Sequence, residues 1–200
     1  MWTNRQQHSI GTSSSSDYYR GRKSVLIAGT TVLGSVVAVL EFSRFLRIPF
    51  PLFPVLKFDI VGIPMIIAYS LFGLVPGIST SLVSFAIISS RDPFSGAMKA
   101  LAESATILGA FLVLRGKNPN SSYKRRVLAI ISSVALRVVV MSITNVLLLP
   151  VYMPKFYATP EAAIAVLHFI AAFNAIQGII SIAGGFSIYE AITRRIPSLK

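Results

Sequence analysis

The feature that most constrains this chain is the recurrence of long apolar blocks, separated by short clusters of turn-forming or charged residues. Crossing a hydrocarbon core about 30 Å thick takes about 20 apolar residues in a helix, and no water is present there to satisfy an open backbone N–H or C=O. Such a chain folds as a bundle of membrane helices. Composition agrees: 54% of residues are hydrophobic and only 13% charged, and mean hydropathy is +0.69, outside the range of soluble domains. Cysteine is absent, so there is no disulfide framework, no thiolate metal site and no cysteine nucleophile.

Six helices account for the blocks: Ser24 to Phe42, Ile60 to Leu74, Gly77 to Ser89, Phe94 to Leu114, Val127 to Leu149 and Ala162 to Ile192. The expected fold is a compact all-α membrane domain over residues 24–200, behind a polar, serine-rich tail at residues 1–23 that is expected to be disordered. The first block starts late and lacks a small-residue cleavage site, which favours a retained helix over a signal peptide. The second and third blocks are short and separated only by the turn-like run Gly73 to Gly77, so one long irregular segment is the competing reading.

With six spans, both termini share a side. That side receives twelve lysines and arginines, including Arg20, Arg22, Lys23, Arg115, Lys117 and Lys124 to Arg126; the other receives five, Arg44, Arg47, Lys57, Arg91 and Lys155. The asymmetry places both termini in the cytoplasm. The net charge of +12 is thus an orientation signal first, and nothing further points to nucleic acid. The basic flank of the first helix is positioned to meet anionic lipid headgroups.

The linker after the first helix, Arg47 to Asp59, reads RIPFPLFPVLKFD. Three prolines alternate with large apolar residues, so the run cannot sustain a helical ladder and is too short to cross a bilayer otherwise. It is expected to be an apolar loop on the outer side.

Ionisable groups at bilayer depth are costly and mark pairs, cavities or partners. Lys99 and Glu103 lie four apart on one helical face, where they are expected to pair with each other; a structural pair is favoured over a substrate contact. Arg137 lies deeper, with Glu103 one candidate partner. Asn145 sits late in the fifth helix, while Asn174 and Gln177 share a face of the sixth, followed by Ser181. Buried amides need partners. Spacing alone does not decide between interhelical hydrogen bonds and a flat ligand with a donor and acceptor edge. Thr30, Gly34 and Ala38 form a small-residue stripe along the first helix that permits close approach of another helix, in the same chain or another subunit.

Catalytic constellations are thin. There is no phosphate loop and no histidine pair at metal spacing, and His168 stands alone in an apolar helix. No metal and no cofactor are expected in this chain. A membrane-embedded enzyme using Lys99, Glu103 and His168, and a purely structural assembly protein, are the readings from other classes.

Three segments, Leu52 to Ile78, Met141 to Pro154 and Ala171 to Ile182, in this order and spacing, resemble the riboflavin-type substrate-binding subunits of energy-coupling-factor vitamin transporters. The similarity covers about residues 24–192. It implies a compact six-helix protein in the cell membrane that captures riboflavin from outside and is not itself an enzyme. It also implies partners: a transmembrane coupling subunit and two ATP-binding-cassette ATPases, whose ATP turnover drives inward release. A subunit for a different vitamin or flat heterocycle is the alternative within the class.

The resemblance implies that Asn145 and Asn174 hydrogen-bond the ligand. It further implies that the proline-stiffened loop covers the site, with Phe50, Leu52, Phe53, Val55 and Leu56 closing over it and Lys57 and Asp59 at its return. Gln177 departs from the pattern, because family members carry a lysine there. Thr30, Gly34 and Ala38 match the positions that contact the coupling subunit.

Overall fold

The computed structural model describes residues 15–43, 47–54, 56–115, 117, 119, 122–155 and 158–196. Most of the expected tail, Val55 of the loop and the last four residues lie outside the described residues. The described chain is carried by helices α1 Ser15–Ser43, α2 Gly62–Phe72, α3 Leu74–Ser89, α4 Pro93–Leu114, α5 Tyr123–Tyr152, α6 Pro160–Ala165 and α7 Leu167–Arg195. Four of these, α1, α4, α5 and α7, contain stretches long and apolar enough to cross a membrane, and α2 and α3 are shorter apolar helices.

Boundaries moved for local reasons. Helix α1 begins at Ser15 rather than Ser24, and no proline lies between them to stop it. The segment between the second and third blocks is a true break rather than one irregular helix. Gly73 adopts φ 99°, ψ −171°, a conformation open almost only to glycine, and its N–H closes α2 on the Tyr69 carbonyl at 2.8 Å. The sixth block is divided: the Val166 N–H turns back to Ala163 O at 3.3 Å, a 3₁₀-type closure, and Ala163 packs with Leu149 and Ile170 in a small cluster beneath Leu56.

The main core gathers Val37 of α1, Met65, Ile66 and Tyr69 of α2, Ile107 and Leu114 of α4, Ala129 of α5, and Ile182 and Phe186 of α7. Helix α4 lies between α3 and α5, and α7 packs on α5 and α2. Along α5 the buried residues recur at every fourth position, Ala129, Ser133, Arg137, Met141, Asn145 and Leu149, so one winding stripe faces the bundle. Helix α7 buries the complementary set Ile170, Phe173, Asn174, Gln177, Gly178 and Ser181.

The Arg47–Asp59 linker is more regular than its prolines suggest. Strands β1 Ile48–Pro49 and β2 Lys57–Phe58 pair antiparallel, Ile48 opposite Phe58 and Pro49 opposite Lys57. The hairpin continues through Phe50 N–H to Leu56 O at 2.8 Å, and an edge strand is where a proline is tolerated.

Candidate ligand cavity

The loop, the start of α4, the end of α5 and the start of α7 enclose a cavity of about 370 Å³ near one end of the bundle. Its size falls within the range of small-molecule sites, roughly 300–1,000 Å³. Asn145, Asn174, Gln177, Phe53, Leu56, Lys57 and Asp59 all line it. These are the residues expected at the site, drawn from three separated segments. Phe50 does not line the cavity: it is buried against Phe58 (ring centroids 5.5 Å apart, edge-on) and Phe173 (5.9 Å), while Phe58 stacks on Phe173 at 4.9 Å. Leu52 points outward and is exposed.

The polar groups of the cavity are bonded unequally. Asn145 donates from Nδ2 to Met141 O at 2.7 Å, and among the described residues its Oδ1 has no donor. Asn174 donates from Nδ2 to Ile170 O at 2.9 Å and accepts on Oδ1 from Arg137 Nε at 3.3 Å. Gln177 is held on both atoms of its amide: Oε1 accepts from Asp59 N–H at 3.2 Å, and Nε2 donates to Asp59 O at 2.8 Å. Lys57 is exposed at the rim.

Two ion-pair systems flank the cavity, and they correct the expected pairing of Lys99 with Glu103. Lys99 instead bonds Asp59 of the loop and approaches Glu41 of α1 at 3.3 Å, and Glu41, fully buried, also binds Arg47 and accepts from Ser84 Oγ at 2.6 Å. Glu103 pairs with Arg137, whose Nη1 lies 2.9 Å from Oε1 and 3.1 Å from Thr106 Oγ1. On a helix, four residues apart only permits contact. Here each partner across the bundle offers the opposite charge at closer range.

The remaining wall is aromatic. Phe94 and Tyr152 stack with centroids 3.9 Å apart, and Asp92 caps α4 by accepting from the Phe94 and Ser95 N–H groups. Hydrogen bonds from the Ser95 and Tyr152 hydroxyls hold the Asp92 carboxyl below its ordinary pKa.

Arg137, expected as a deep charge with Glu103 one candidate partner, takes that partner, whereas Glu41, Phe94, Tyr152 and Phe173 were not among the expected site residues. The signal for Arg137 was its place two four-residue steps before Asn145. An acid inside an otherwise apolar block was the signal for Glu41. His168 is exposed, rests on Phe169 and lies off the cavity, so Lys99, Glu103 and His168 do not converge on one site. In the helix α1 stripe, Gly34 is buried with Val83 of α3 at 3.6 Å from its would-be Cβ, whereas Thr30 and Ala38 are half-buried. The close approach at Gly34 is thus made within the chain. The outward side of α1 is Val25, Val32, Val36, Val39 and Phe42.

An apolar helical bundle with a loop-covered cavity at one end has the architecture of a membrane protein with room for a small molecule. The model of one family, ECF transporter, substrate-specific component, matches residues 23–187, and the chain belongs to that family. A solved structure described as "Structure and mechanism of the S component of a bacterial ECF transporter" superposes with a TM-score of 0.69 at 24% identity, covering 88% of this chain and 97% of that one. That likeness bears on the fold. A comparison with curated proteins finds no match. Family membership makes this a membrane transport component, of a family that works with transmembrane and ATPase subunits.

Proposed function

We propose that this protein is the riboflavin-binding subunit of an energy-coupling-factor transporter, a six-span protein of the cell membrane with both termini in the cytoplasm. In this reading α2 and α3 complete the spans as a tightly turned pair. The observation that carries it is the convergence of Asn145, Asn174, Phe53, Leu56 and Lys57 on one cavity of about 370 Å³. Apolar and aromatic walls suit a flat ring system, and two amides on facing helices offer donors and an acceptor to its edge. The surface face of α1, flanked by the half-buried Thr30 and Ala38, would meet the coupling subunit, and two ATP-binding-cassette ATPases would supply the energy for reorientation and inward release.

The test is an absorbance spectrum of the detergent-purified protein, followed by titration with riboflavin monitored by intrinsic fluorescence. A co-purified flavin band or saturable quenching supports the reading. A colourless protein indifferent to riboflavin leaves the family in place and moves the ligand to another vitamin or flat heterocycle.

A further inference from the structure

Gln177 is 2% exposed, and its carboxamide treats Asp59 as one strand treats another, accepting from its N–H and donating to its C=O. The contact spans 118 positions of sequence and falls one residue past strand β2, where the loop's own ladder ends. The Asp59 side chain uses its other valences nearby: Oδ1 accepts from Val61 N–H at 3.0 Å at the start of α2, and Oδ2 bonds Lys99. Lys99 in turn reaches Glu41, which binds Arg47 at the opposite end of the loop. Both ends of the Arg47–Asp59 loop therefore meet at one buried Glu41 and Lys99 node, and the returning end carries the additional Gln177 clasp.

We propose that Gln177 is a positioning residue that seats this loop over the cavity, and that it governs how long a ligand stays rather than contacting it. The inference rests on the ligand-binding reading of the cavity. Its chemistry follows from the two bonds: both polar atoms of the amide are already engaged by the loop, which leaves one N–H and one Oε1 lone pair for anything else. A lysine at this position, as in the pattern from which this chain departs, could donate to the Asp59 carbonyl but could not accept from its N–H. Glutamine is the residue that satisfies both. Release of the clasp exposes two backbone groups at the cavity wall, which water entering the mouth can take up, and the loop then relies on the Glu41 and Lys99 node, the Phe50, Phe58 and Phe173 cluster and the packing of Leu56 on Leu149 and Ile170.

The chain has no cysteine, so Leu52→Cys on the outward tip of the loop gives a single site for a spin label. The label's mobility is measured in the full-length, ligand-free protein in detergent, with Gln177 intact and in Gln177→Met, which keeps the side chain's bulk, and Gln177→Glu, which opposes an acceptor to the Asp59 carbonyl. Both variants are expected to mobilise the label, and Asn145→Ala is expected to leave it unchanged. With riboflavin as the probe, dissociation is expected to quicken about tenfold in Gln177→Met, the scale of one lost buried hydrogen-bonding pair, without a slower association. An unchanged label spectrum in both Gln177 variants overturns the proposal, as does slowed association at an unaltered dissociation rate. The label measurement uses no ligand, so it decides the matter even if riboflavin proves to be the wrong vitamin.

Discussion

Arg137 and Glu103 form an ion pair inside the bundle, Nη1 to Oε1 at 2.9 Å, with 2% and 0% of the two residues exposed. Two charges removed from water recover their desolvation only through each other and through neighbouring dipoles, here Thr106 and Asn174. Removing one partner leaves the other buried and uncompensated. Arg137→Met or Glu103→Leu alone is expected to cost about 3–5 kcal/mol, and the double variant Arg137→Met/Glu103→Leu much less than the sum. Thermal unfolding in detergent of the two singles and the double measures the coupling. Additive losses would show that the pair does not act as a unit.

Gly62 sits where α2 starts against α4 and α7. A Cβ built there would lie 2.1 Å from Ser181 Oγ and 2.5 Å from Glu103 Oε2, and both oxygens are buried with no hydrogen-bond partner among the described residues. Gly62→Ala must displace the Ser181 and Glu103 side chains or shift α2 itself, and is expected to destabilise by about 1–3 kcal/mol, the usual cost of overpacking. Because the displaced Glu103 carries Arg137, a rise in ligand Kd is expected to accompany the lower Tm. A Tm equal to wild type would mean that Ser181 rotates aside at no cost.

Much of this fold was legible because bilayer length and apolar blocks leave few alternatives, and because Asn145, Asn174 and Gln177 stand out in otherwise apolar helices. The meeting of three segments at one cavity followed the resemblance rather than any local pattern. Pairing was legible only in part: Glu103 stood as a candidate for Arg137 and is its partner, but the partners of Lys99 were not foreseen. The four-residue spacing of Lys99 and Glu103 describes one helix, whereas the partners actually taken, Asp59 and Glu41 for one and Arg137 for the other, depend on how helices face across the bundle. The hairpin in the Arg47–Asp59 loop was hidden for a related reason: its two-residue ladder is too short to show alternation, and its prolines argue against strands anywhere but an edge.

Asp92 gives a pH dependence with a definite sign. Its folded-state pKa is lowered, first by the Ser95 hydroxyl and then by that of Tyr152, so its contribution is fully present above the unfolded value of about 3.9 and is lost as pH falls through the lower folded value. Asp92→Ala removes the cap of α4 and the tie to Tyr152 together. Wild type is expected to exceed this variant in Tm by a few degrees at pH 6 to 8, with the gap closing as pH drops below about 4. A gap that persists unchanged at pH 3 would mean that the charge of Asp92 is irrelevant to the cap.

Asn145 and Asn174 look equivalent in sequence, but the bundle uses them differently. Asn145 bonds only its own helix and leaves Oδ1 open beside the cavity, so Asn145→Ala is expected to weaken riboflavin binding by about 1–3 kcal/mol, or 5- to 150-fold, with little change in stability. Asn174 also accepts from Arg137 Nε, so its loss frees one edge of a buried guanidinium. Asn174→Ala is expected to lose comparable affinity and, in addition, to lower Tm. Titration and thermal unfolding on the same preparations separate the two effects. Unchanged affinity in both variants would remove these asparagines from the site, whereas equal loss of stability in both would show that Asn145 has a structural partner during unfolding that its open Oδ1 does not reveal.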